Sequence, residues 1–202
     1  ALYALGADVC LWAEDYEAAV TYCDAILNAR GVGAPAFLAT ATHSSWFSMF
    51  NPGNSNESIF EIQYNYEENQ TNNLPKLFDN EHADGIYRIS RALTQMFNSE
   101  YSATLYEMKE AVRSMYGGYF VGPDATIFES LSDKRTASYY DPNFIIYRVA
   151  DVMLMKAEAL ILRTHGENIE DKVEAMKLIN EIRTRSNLEI EVEATAEAVE
   201  PL

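Results

Sequence analysis

Positive charge is scarce in this chain: its 202 residues carry 15 Lys and Arg against 31 Asp and Glu, a formal net charge of −16. Such a surface repels phosphate backbones and anionic lipid headgroups, which argues against nucleic acid and against membrane attachment by a basic face. Long apolar runs are also missing. Runs such as Val152–Met155 and Phe144–Tyr147 fall far short of the roughly 20 residues needed to cross a bilayer. Glycine and proline number only 9 and 6, and 48% of the residues are hydrophobic, so the chain is neither collagenous nor disordered. At this length a core can form without disulfides or a structural metal.

Cysteine is limited to Cys10 and Cys23. On two antiparallel helices turning at Glu14-Asp15 they are offset by about 6 Å along axes about 9 Å apart, beyond the Cα spacing of about 7 Å that a disulfide allows. They are expected to be small packed thiols. The three histidines, His43, His82 and His165, fall in separate loops without a paired ligand spacing. Gly-x-Ser-x-Gly, His-Glu-x-x-His and Cys-x-x-Cys patterns are absent, as is a glycine-rich dinucleotide loop. Gly31-Val-Gly-Ala-Pro35 lacks the Lys and Ser/Thr of a phosphate loop and follows a helix rather than a strand. No enzyme activity, cofactor or metal is expected.

What is present is helical periodicity at both ends. Leu2, Leu5, Val9 and Trp12, then Tyr16, Ala19, Cys23, Ile26 and Leu27, recur at three and four, which predicts a helical pair over residues 1–30. Tyr3, Ala7, Tyr16 and Ala19 fit the alternation of aromatic and small residues in a tetratricopeptide repeat. Residues 31–142 form a variable, loop-rich insertion. Within it, residues 57–64 alternate as a short extended segment that looks too isolated to build a sheet. A second helical pair is expected over residues 143–188: Asp141-Pro-Asn143 caps a helix from Phe144 to Arg163, and the next runs from Ile169 to Ser186 with Glu181 four before Arg185. Residues 189–202 carry five acids and no base, and are expected to be solvated and loosely ordered. The chain opens without Met or a polar lead-in, inside a helix, and reads as a piece of a longer protein.

Tyr147-Arg-Val-Ala-Asp-Val-Met-Leu-Met-Lys-Ala-Glu-Ala159, followed by Leu178-Ile-Asn-Glu-Ile-Arg-Thr-Arg-Ser-Asn-Leu188, resembles the signature of the SusD/RagB family. The opening helical pair, the segment Asn56 to Tyr64 and Asp133-Lys-Arg135 follow in that family's order. The resemblance implies an all-α fold of tetratricopeptide-like helical pairs with a loop-rich insertion. It also implies an outer-membrane lipoprotein of Bacteroidetes that captures oligosaccharide and delivers it to a SusC-like TonB-dependent transporter, reaching the membrane only through a lipid anchor missing from this chain. A tetratricopeptide scaffold for protein partners is the alternative.

Sugar recognition needs flat apolar ring faces surrounded by amides and carboxylates. The middle of the chain supplies them: Tyr66, Tyr87, Tyr116, Tyr119 and Phe120 are the candidate glycan-binding residues, with Tyr116-Gly-Gly-Tyr-Phe120 the best placed. Arg148, Asp151, Glu158, Asn180 and Arg183 are read as structural signature residues, with Glu158 and Arg183 as a buried pair between the two helices.

Overall fold

The computed structural model describes residues 1–39, 49, 53–72, 92, 95, 143–186, 188 and 190–202. Among these the fold is mostly helical, in the order α1 (Leu2–Trp12), α2 (Tyr16–Leu27), β1 (Ser58–Ile62), a 3-10 turn (Tyr66–Glu68), β2 (Phe144–Arg148), α3 (Val149–Arg163), α4 (Ile169–Arg185) and α5 (Ala196–Val199). No described helix is long and apolar enough to cross a membrane.

Both helical hairpins close by the same local chemistry. After α1, Glu14 N–H donates to Leu11 O and Asp15 N–H to Cys10 O; after α3, His165 N–H donates to Leu162 O and Gly166 N–H to Ile161 O. These paired bonds are the Schellman arrangement, which places one residue in the left-handed region. Glu14 (φ 59°) and His165 (φ 52°) occupy it in place of the usual glycine. Each following helix then starts on a side-chain cap: Asp15 Oδ1 accepts from Ala18 N–H, and Asn168 Oδ1 accepts from Glu170 and Asp171 N–H.

The helices meet through small residues. Ala19, Val20, Ala157, Ala159, Leu160 and Ala175 form one buried cluster joining α2, α3 and α4. Ala4, Ala7, Cys23, Ile26 and Val152 form a second, joining α1, α2 and α3. Alanine at these contacts lets helix axes approach closely. Cys23 is buried, Cys10 is half-buried, and both are free thiols.

Two features depart from the sequence expectation. The segment at 57–64 does build a sheet, because β2 pairs antiparallel with β1, placing Ile62 opposite Phe144 and Glu61 opposite Ile145. Phe144-Ile-Ile-Tyr147 is rich in β-branched and aromatic residues, which favour a strand over the first turn of a helix. The long helix therefore starts at Val149 instead of Phe144. Asp151 serves its N-terminus by accepting from Arg148 N–H at 2.9 Å. Gly53, at φ 85°, holds the turn before β1 so close to Asn143 Nδ2 and Glu61 Oε2 that a Cβ there would lie 2.8 Å from each.

The acidic end also differs. Glu191, Glu193, Glu197 and Glu200 are exposed, yet Thr195 caps the short α5 through Ala198 N–H and Val199 is fully buried. Asn180 Nδ2 donates to Val192 O at 2.9 Å and ties the segment to α4.

Candidate functional site

The insertion joins the helical frame at one buried carboxylate. Glu57, 1% exposed, sits just before β1. Its two oxygens accept from Arg185 Nη1 at 2.9 and 2.7 Å, and Oε1 also accepts from Arg148 Nη1 at 3.3 Å. Oε2 accepts from Leu38 N–H at 3.1 Å, and Glu57 O accepts from Val149 N–H at 2.9 Å. One residue thus holds the chain leaving the helix pair (Leu38), the return into the second pair (Arg148 and Val149) and the end of α4 (Arg185). The Arg185 guanidinium also lies 4.5 Å from the centroid of the Phe37 ring. A charge pair this deeply buried persists because both members are multiply hydrogen-bonded.

Around this hub, polar contacts tie the elements together. Tyr147 Oη donates to Asp8 Oδ2 at 2.6 Å, and that bond, with burial and the Asp8 charge, pushes the phenol up to about 12. Lys156, 8% exposed, pairs with Asp24 on α2 at 2.6 Å and with Glu174 on α4. Burial alone would lower this ammonium, but the two carboxylates outweigh it and raise it. Arg163 forms a two-pronged pair with Asp171 and reaches Glu17 at 3.2 Å; chiefly through the Asp171 bonds, its already high value rises further. Burial pushes the Asp151 carboxyl up, opposed by Arg148.

The expected signature residues divide. Arg148, Asp151 and Asn180 sit at junctions between elements. Glu158 and Arg183 do not form the expected pair: Glu158 is on the exposed face of α3, and Arg183 Nη2 reaches Glu191 Oε1 at 2.8 Å. The buried arginine is Arg185, two residues on. Positions two apart on a helix point about 200° apart, so choosing the other arginine of Arg183-Thr-Arg185 reverses the face. Ala175, Leu178, Ile182 and Arg185 recur at three and four, and that stripe was the available signal. Arg185 is thereby drawn away from Glu181 and toward Glu57.

Of the candidate glycan-binding residues, Tyr66 opens the 3-10 turn, while Tyr87, Tyr116, Tyr119 and Phe120 lie outside the described residues, as does Asp133-Lys-Arg135. Met49, from the apolar segment before the Asn-rich turn, is 1% exposed. A cavity of about 460 Å³ opens between the end of α2, residues 29–37, the start of α3 and α4, with Leu27, Phe37, Met153 and Leu178 inside and Arg30 and Glu181 as its charged residues. Among the described residues no three His, Cys, Asp or Glu side chains cluster as a metal site requires.

The sequence model of the SusD family matches residues 94–199, more than half of the 202. The match takes in β2, α3, α4 and α5; the opening helical pair and residues 56–64 lie before it. No curated protein and no solved structure matches the chain.

Proposed function

Because the chain belongs to the SusD family, we propose that it is the helical frame and binding insertion of a nutrient-binding protein that captures oligosaccharide at the outer membrane. The family match carries this reading. In it, the helical pairs are tetratricopeptide-like supports, and the insertion between them presents aromatic rings to the sugar. The captured glycan passes to a SusC-like TonB-dependent transporter, and a lipid anchor holds the protein to the membrane surface. The role is capture, not catalysis.

The anchoring at Glu57 supports this division of labour. A loop-rich binding segment must be held at its base if its rings are to meet a ligand in one arrangement, and restraint before binding lowers the ordering cost of association. Tyr66, Tyr87, Tyr116, Tyr119 and Phe120 are the proposed ring faces, with Asn65, Asn69 and Gln70 in the same part of the chain to meet hydroxyls. Base stacking on aromatic side chains, a related ring-on-ring contact, is worth about 1–3 kcal/mol each. An array of soluble oligosaccharides tests the proposal. The chain should retain one class of glycan, and a Tyr116→Ala/Tyr119→Ala variant with an unchanged melting curve should lose at least about tenfold in affinity. Retention of no glycan, with binding of a protein partner instead, would favour the scaffold reading.

A further inference from the structure

The cavity between α2 and α4 has a chemistry of its own. Leu27, Phe37, Met153 and Leu178 give it an apolar interior, and its volume of about 460 Å³ suits a small molecule. Its two charged residues, both exposed, make no ion pair among the described residues. Among the described residues, Arg148, Arg163, Arg183 and Arg185 each pair with a carboxylate, whereas Arg30 does not. Arg30 Nη1 is held by Leu27 O at 3.1 Å and Ala29 O at 2.8 Å. That arrangement pins the guanidinium and leaves its Nε–Nη2 edge, the edge suited to side-on carboxylate binding, without a partner among the described residues. Glu181 likewise makes no ion pair there.

We propose that this cavity binds a small zwitterion with an apolar body, an aliphatic α-amino acid, with its carboxylate on Arg30, its ammonium on Glu181 and its side chain among Leu27, Met153 and Leu178. Charge selects the class. A net charge of −16 repels a free carboxylate anion, while a zwitterion has no net charge and meets one opposite charge at each end. A pyranose fits less well, since the cavity offers two ions instead of a ring of amides, and Arg185 lies against the Phe37 ring. The proposal does not depend on the glycan reading.

Titration calorimetry on the full chain tests the site with L-leucine, with leucinamide, which lacks the carboxylate, and with N-acetyl-leucine, which lacks the ammonium. Leucine should bind saturably with a Kd of about 1 mM or tighter. Each analogue, and each of Arg30→Gln and Glu181→Gln, should weaken binding by about tenfold or more, the loss expected for one charged hydrogen bond. Absence of saturation with leucine, or equal affinity for leucine and both analogues, would overturn the proposal. The analogue series uses the unaltered protein, so it decides the question even where a variant fails to fold.

Discussion

Arg185 Nη1 lies 2.9 and 2.7 Å from the two carboxylate oxygens of Glu57, across 128 residues of sequence and with both side chains 1% exposed. This pair joins the end of the last long helix to the base of the sheet. Removing either partner takes the closest opposite charge from a buried ion, so Glu57→Ala and Arg185→Ala should each cost about 3–5 kcal/mol in chemical unfolding. Glu158→Ala, on an exposed helix face, should stay within about 0.5 kcal/mol of the parent. The reverse order would return the buried pair to Glu158.

How far the fold can be read from the sequence follows from which forces are local. The two helical hairpins are legible because apolar residues recur at the helical period, although on α1 the face that packs is Ala4 and Ala7 while Leu2, Leu5, Val9 and Trp12 stay exposed, and because Asp15 and Asn168 are residue types that cap helices. The composition of Phe144-Ile-Ile-Tyr147 favours a strand, but its pairing is not legible, because its partner is β1, more than 80 residues earlier. The Glu57 hub is hidden for the same reason. Nothing near Glu57 distinguishes it from the other 30 acids, and only tertiary contact selects it. The Arg30 cavity arises from three elements converging, which no single stretch of sequence records.

The two left-handed residues that end α1 and α3 should be replaceable with a gain in stability. Glu14 and His165 sit at φ 59° and 52°, where a side chain crowds the backbone. Glu14→Gly and His165→Gly should each raise unfolding stability by about 0.5–1 kcal/mol, net of the greater freedom glycine has when unfolded. A loss of stability in either variant would mean that the turn is held by its side chain.

Alkaline pH should weaken the fold in a defined window. Tyr147 rises from 10.0 to about 12 through its bond to Asp8, and Cys23 from 9.0 to about 12 through burial. The folded chain therefore keeps protons that the unfolded chain releases. Their contribution is complete below about pH 9 and is lost as pH rises from about 9 to 12. Denaturation midpoints measured against pH should fall across that window, and the fall between 10 and 12 should be shallower in Tyr147→Phe. A flat profile would contradict the assignment.

The tie from Asn180 to the acidic end makes a separate prediction. Asn180→Ala removes the donor to Val192 O and should cost about 1 kcal/mol. Hydrogen exchange at residues 192–199 should quicken in that variant while α1 and α2 keep their protection. Unchanged exchange would show that buried Val199 and the Arg183–Glu191 pair secure the segment without Asn180.

The proposed role is capture of oligosaccharide without turnover. The most direct measurement is calorimetric titration of the chain with the oligosaccharide it retains, followed by analysis of the recovered sugar. Saturable binding with every glycosidic bond intact is the predicted result; a shortened sugar, or no heat with any glycan, would contradict the account.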